Sequence, residues 1–263
     1  MWTLKRDTPL PLWRPAGASG AILAFTTRLG GVSASPFDTL NLGRSTTDRP
    51  EAVAENRRRL LAALGLRPDQ LATAGQVHGA TVAAADAPGH FDGCDVLLSR
   101  TPGLALAVTS ADCMPILLVA PGAVAAAHSG WRGTESGAPR AALRALLSAS
   151  GTRPERVRVH IGPCVRRCCY IVGPEVASRF PAAAVSSDHG TWRLDLPTAA
   201  RLQLVAEGLP ADAIDDTGAC TACQRELYYS HRRDAGLTGR HWGVIALPLG
   251  PNSEALPRGE RGV

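Results

Sequence analysis

Apolar positions along the chain follow two periods. Between Asp48 and Gly65 they recur at helical spacing, with Val53, Leu60, Leu61 and Leu64 sharing one face. Asp48 can cap this segment, Pro50 suits its first turn, Glu51 lies three residues after the cap, and Gly65 is a natural stop. A second helix is predicted from about Ala138 to Ala149, with Leu143, Leu146 and Leu147 on one side and Gly151 beyond it. A third follows Asp195 and Pro197, with Leu202 and Val205 expected to face inward. Between these lie apolar runs too short for helices: Thr81 to Ala85, Leu104 to Thr109, Ile116 to Val119, Ala123 to Ala127, Val157 to Ile161 and Val244 to Leu247. They read as buried strands. Alanine favours helix, so the Ala123 to Ala127 strand rests on its length and on the Pro121-Gly122 turn before it.

Strands outnumber helices, and the connections are too short for a strictly alternating parallel sheet. The expectation is one α/β (α+β) domain spanning residues 1–263, with mixed sheets covered by helices in α/β/β/α layers. Composition narrows this further. Hydrophobic residues make up 45% and charged residues 19%, which excludes a disordered chain or a membrane-embedded body. The formal charge of +5 is carried almost wholly by Arg, yet no dense basic run or aromatic-interleaved stripe accompanies it, so no nucleic-acid partner is expected. No signal-like or membrane-spanning run is read, and the expected location is the cytoplasm. Seven Cys, an odd number with Cys168 and Cys169 adjacent, suit reduced thiols better than a disulfide framework.

Candidate chemistry gathers where apolar strands give way to turns. His78 lies in Gln76-Val77-His78-Gly79, Cys113 in Ala111-Asp112-Cys113-Met114-Pro115, and His128 opens His128-Ser129-Gly130-Trp131-Arg132-Gly133. Two imidazoles and a thiolate suit zinc with a fourth position left open, and the same donors accept copper. A buried Cys and two hydrogen-bonded His are the structural alternative on spacing alone. Cys164, Cys168 and Cys169 with Cys220 and Cys223 offer thiolates for a second, structural zinc, or are simply small buried thiols.

These segments, with Arg28-Leu29-Gly30-Gly31-Val32-Ser33, Leu40-Asn41-Leu42-Gly43, Ile161-Gly162-Pro163-Cys164, Tyr170-Ile171-Val172-Gly173, Cys220-Thr221 and Ser230-His231-Arg232-Arg233, stand in one order along the chain. From about residue 24 to 247 the sequence resembles the YfiH-type polyphenol oxidase or laccase-domain proteins. The resemblance implies that His78, Cys113 and His128 bind a catalytic zinc. It also implies phosphorolysis of purine nucleosides (adenosine, inosine, guanosine, methylthioadenosine) to base and ribose 1-phosphate, and adenosine deamination. Ile171 departs from the usual Glu, Ser129 from Ala, and His241 and Trp242 from Phe and Ala.

Purine nucleosides and phosphate are therefore the expected partners. Arg28, Arg57 and Arg132 are candidate phosphate ligands, because a guanidinium offers a planar fork, and each otherwise forms a surface ion pair. Asn41 and Gln76 either hydrogen-bond the nucleoside or stabilise their own turns. Asp112 either shuttles a proton or orients the turn beside Cys113, and Trp131 either stacks on a purine or packs beneath its loop. The alternatives are a copper-dependent polyphenol oxidoreductase, a thiol hydrolase acting in peptidoglycan precursor editing with Cys113 as nucleophile, and a zinc-stabilised interaction module. Seven His are too few for a full multicopper laccase.

Overall fold

Helix boundaries follow local chemistry closely. In the computed structural model, which describes residues 1–17 and 20–249, the helices are α1 Pro50–Ala63, α2 Trp131–Glu135, α3 Ala138–Ser150, α4 Pro174–Ala177 and α5 Leu196–Ala206. Proline occupies the first turn of α1, α3, α4 and α5, where its missing N–H costs nothing. Gly151 adopts φ 62° just past α3, and Gly65 adopts φ 71° just past Leu64, the C-cap of α1. Asp195 caps α5 by accepting from Thr198 N–H. The α1 cap differs from expectation: Arg49 holds that position, while Asp48 accepts from the Asn41 side chain and from Arg49 N–H.

The inward face of α5 also differs. Leu196, Ala199, Ala200 and Leu204 are buried, whereas Leu202 and Val205 are 41% and 45% exposed. The register of a 3.6-residue turn running from Leu196 through Ala200 to Leu204 places Leu202 and Val205 away from the core.

The strands are β1 Trp2–Lys5, β2 Leu12–Pro15, β3 Ile22–Thr26, β4 Leu71–Ala74, β5 Val82–Ala84, β6 Gly89–Phe91, β7 Val96–Ser99, β8 Ala105–Ser110, β9 Met114–Ala120, β10 Ala123–Ser129, β11 Arg158–Ile161, β12 Ile171–Val172, β13 Val185–Asp188, β14 Thr191–Leu194, β15 Ile214–Asp216 and β16 His241–Ala246. They form a seven-stranded sheet of order β1-β2-β3-β16-β8-β4-β6, a six-stranded sheet of order β15-β11-β9-β10-β7-β5 and a small sheet β12-β14-β13. Both large sheets are mixed: β4 runs parallel to β8, and β5 to β7, while β16 and β8, and β9 and β10, are antiparallel.

Three apolar layers hold the sheets and helices together. Leu60 and Leu61 of α1 pack with Trp242 and Val244 on one face of the seven-stranded sheet. The opposite face, with Phe25, Leu106 and Val108, meets Leu117 and Val124 of the six-stranded sheet. Ile116, Leu118, Ala125 and Ala127 then turn to Leu143 and Leu146 of α3 and Leu204 of α5. The period-2 alternation along β9 and β10 divides their residues between the two layers. Burial of each large side chain is worth about 1.5–3 kcal/mol. The result is the expected α/β/β/α arrangement. Among the described residues no helix is long and apolar enough to cross a membrane.

Strand register places the candidate residues. The turn holding Cys113 joins β8 of one sheet to β9 of the other. His128, the penultimate residue of β10, pairs with Pro115, and Ala127 pairs with Val96. His128 therefore sits between the Cys113 turn and Asp95, the residue before β7.

Candidate metal centre and its cavity

The structure brings His78, Cys113 and His128 together, with one donor atom from each lying within 4.8 Å of the others. The two imidazoles meet edge to face, with centroids 4.9 Å apart. His128 is buried, Cys113 partly buried and His78 exposed, so the cluster is open on one side. Three of the positive-φ non-glycine residues lie here: Gln76 at 48°, His78 at 63° and Asp112 at 90°. Such backbone needs support from its surroundings.

Asp95 gives that support. Its Oδ1 accepts from His128 Nδ1–H at 2.8 Å and His78 N–H at 3.0 Å, and its Oδ2 accepts from Gly79 N–H at 2.7 Å and Val77 N–H at 3.1 Å. An ionised carboxylate only accepts, so His128 carries its proton on Nδ1 and its Nε2 faces the cluster. Burial pushes the Asp95 carboxyl up, but these donors, His128 first, bring it below the usual range. Burial likewise pushes the Cys113 thiol up, yet His128 and then His78 outweigh it and bring it down to about 6. His128 shows the reverse balance: burial opposes its charge, while Cys113 and Asp95 hold it up at about 9. Without metal the pair is a thiolate beside an imidazolium.

Gly130 leaves room for the cluster. A Cβ at this position would stand 2.8 Å from Cys113 Sγ and 3.4 Å from His78 Cδ2. Around these side chains opens a cavity of about 740 Å³. Arg44, Arg57, Arg132, Arg232 and Arg240 line it, together with Tyr170, Trp131, His90 and His231. Burial and then Arg44 bring the Arg57 guanidinium down to about 10. Burial and then the Cys113 charge raise the Tyr170 phenol to about 12, so it keeps its proton at neutral pH.

The other sequence candidates divide. Gln76 lines the cavity, but Oε1 accepts from the backbone N–H and hydroxyl of Thr109 and Nε2 donates to its carbonyl. Arg132 lines the cavity with its guanidinium 4.2 Å from the Trp131 ring centre, and Trp131 also packs against the helix-facing core. Arg28 does not line the cavity; it donates to the Asp38 and Arg225 carbonyls and lies over Tyr229. Asn41 is fully buried and outside the cavity, bonded to Thr46, Asp48, Gly43 N–H and Arg240 N–H. Both stabilise turns, because their donors and acceptors are spent on the protein.

Asp112 is also spent. Its Oδ1 accepts from the Thr221 hydroxyl at 2.6 Å, and its Oδ2 from the Ser230 hydroxyl at 3.0 Å and Arg232 N–H at 2.7 Å. His241 is a core residue whose Nε2 accepts from Tyr229 N–H. Asp95, Arg44, Arg232 and Arg240 were not singled out by sequence, although Arg232 stands within the Ser230-His231-Arg232-Arg233 motif.

Comparison with known proteins places this geometry in a family. Residues 22–248 match the family described as multi-copper polyphenol oxidoreductase laccase, and the chain belongs to it. A Deinococcus radiodurans relative named purine nucleoside phosphorylase is 44% identical over 232 residues, covering 86% of this chain and 88% of that one. Purine nucleoside phosphorylase YlmD of Geobacillus stearothermophilus is 36% identical over 256 residues, covering 89% and 93%. The crystal structure of YlmD from the same organism superposes with a TM-score of 0.88 at 33% identity over 93% of this chain and 98% of that one. That of Bacillus licheniformis YfiH gives 0.87 at 30% identity with the same coverage.

Proposed function

We propose that the chain is a zinc-dependent purine nucleoside phosphorylase, converting adenosine, inosine, guanosine or methylthioadenosine and phosphate to free base and the ribose 1-phosphate, with adenosine deaminase activity besides. The observation that carries this reading is the opening of the His78, Cys113 and His128 cluster into a cavity bearing five arginines. A phosphate dianion needs such guanidinium groups, and the names of the relatives point to the same substrates.

The donor set fits zinc: two imidazoles and a low-pKa thiolate converge, Asp95 orients one imidazole, and Gly130 keeps the space beside the sulfur clear. His78, Cys113 and His128 would hold the ion, which supplies Lewis acidity to the reacting groups when bound. In phosphorolysis a phosphate oxygen bonds to the anomeric carbon, the glycosidic C–N bond breaks, and the purine leaves with the bonding electrons and gains a proton. Arg44, Arg57, Arg132, Arg232 and Arg240 bind and orient the dianion. Tyr170, protonated at neutral pH, offers a hydrogen bond to the departing base. Asp112 acts as a positioning residue, since all three partners of its carboxylate lie in the 221–232 segment and fix the Cys113 turn.

A specific observation favours a second reading, thiol hydrolysis. Cys113, His128 and Asp95 form a chain of nucleophile, base and orienting carboxylate when no metal is bound. The copper oxidoreductase reading has the family's description behind it, but one cluster of two imidazoles and a thiolate accommodates a single ion.

Zinc-loaded protein incubated with adenosine, with and without phosphate, distinguishes the three. Phosphate-dependent adenine and ribose 1-phosphate support phosphorolysis, and inosine supports deamination. Activity toward phenols requiring copper, with no nucleoside turnover, would overturn the proposal. So would turnover that persists in metal-free protein and is abolished by alkylating Cys113.

A further inference from the structure

A second cluster of ligands lies outside the cavity. Strands β11 and β15 run parallel, so their chains leave the six-stranded sheet at the same end. The segments that follow continue side by side: Cys164 forms an isolated parallel bridge with Cys220, its N–H donating to Ala219 O, and Thr221 N–H donates to Cys164 O. This pairing delivers Cys168 and Cys169 from one segment to Cys220 and Cys223 from the other.

The four sulfurs lie within 4.8 Å of one another. Cys168 Sγ is 3.6 Å from Cys220 Sγ and 3.4 Å from Cys223 Sγ, and Cys169 Sγ is 3.1 Å from Cys223 Sγ. Sulfurs held tetrahedrally on one zinc stand about 3.8 Å apart, given a metal–sulfur bond of about 2.3 Å. The three sulfur separations of 3.1–3.6 Å and the 4.8 Å bound on the rest bracket that spacing. Arg193 donates to Cys168 O and Arg233 to Thr221 O and Ala222 O, placing positive charge against the loops that would carry the two net negative charges of such a centre. All seven cysteines are free thiols, and Cys164 is buried outside the group, so the sequence-level set of five thiols narrows to four.

We propose that Cys168, Cys169, Cys220 and Cys223 bind a zinc ion as a closed structural site, stapling the segment after β11 to the segment after β15. Four thiolates fill a tetrahedral zinc and leave no position for substrate. The staple supports the cavity from outside: Val165 and Tyr170, on the first segment, line it, and Thr221, on the second, bonds Asp112 beside Cys113. The site shares no ligand with the His78 cluster and stands or falls without the proposed reaction.

Zinc content of protein purified under reducing, zinc-replete conditions tests this. Wild type is expected to carry two equivalents, His78→Ala/Cys113→Ala one, and Cys169→Ser/Cys223→Ser one. X-ray absorption on His78→Ala/Cys113→Ala should find four sulfur neighbours around the remaining zinc, and this arm decides the matter even where the Ser variant fails to fold. Loss of all zinc from His78→Ala/Cys113→Ala, nitrogen or oxygen neighbours around it, iron in its place, or a Cys169–Cys223 disulfide in the reduced preparation would each overturn the proposal.

Discussion

The two ligand clusters contrast in donor set and in setting. The His78, Cys113 and His128 cluster mixes nitrogen with sulfur, faces a cavity of about 740 Å³ and is braced by a carboxylate that contributes no donor of its own. The cysteine cluster is all sulfur, joins two segments that leave parallel strands, and does not line that cavity. A mixed, three-membered set on an open wall leaves a position for chemistry, whereas a complete thiolate set on a loop junction resists unfolding. On the two proposals, the same residue type, Cys, would serve opposite ends in one fold according to what surrounds it.

The sharpest break in this contrast comes from Cys113→Ala. Nucleoside turnover should fall to background while the melting temperature changes little, as read by product chromatography and thermal unfolding. Unfolding of that variant with retained specific activity would erase the distinction. Next in size, Asp95→Asn should lower zinc affinity or turnover by about 10–100-fold, because the orienting acceptor of His128 is weakened; competition with a chelating dye measures it. Arg240→Met, which removes one cavity cation, should raise the phosphate KM by roughly ten-fold, with a much smaller change in the nucleoside KM, as expected for one charge-assisted hydrogen bond of about 1.5 kcal/mol. On the other side of the comparison, Cys223→Ser should leave the ligands of the first cluster intact and lower the melting temperature by roughly 5 °C or more, seen by calorimetry.

The smallest effect concerns acid. Burial holds His160 down to about 4 despite the nearby Asp215, and holds His241 down to about 3. Each is neutral in the folded chain where the unfolded chain binds a proton, so stability is full above the unfolded value of about 6.5 and falls as pH drops toward 4. His160→Leu should flatten that dependence in urea unfolding between pH 7 and 4. An unchanged slope would remove His160 from the account.

Sequence made part of this legible. The α1 and α3 segments and the buried strands carried strong periodicity and clear stops, and β8, β9 and β10 appeared within a few residues of their expected positions. Strands β1 and β2 did not, because each is a four-residue piece with a single buried position. At the site, His78, Cys113 and His128 stood out because ligand-type residues at strand ends coincided with family motifs. Asp95 carries no such mark; it reaches His128 through pairing of β10 with β7, 33 residues apart in sequence. Arg28 and Asn41 stood in motifs equally well, yet their polar atoms serve turns. A motif residue announces that its hydrogen bonds matter, and only the fold reveals whether the partner is backbone or ligand.

Asp112 has a consequence for how the chain must be made. The three partners of its carboxylate lie 109, 118 and 120 residues further along, and β16, which is inserted between β3 and β8, begins only at His241. A nascent chain that has reached residue 220 has already synthesised His78, Cys113 and His128, but nothing yet fixes the carboxylate beside Cys113 or closes the sheet beneath it. During synthesis on the ribosome, the thiol destined for the cavity is therefore among the first ligands to emerge and the last to be put in place.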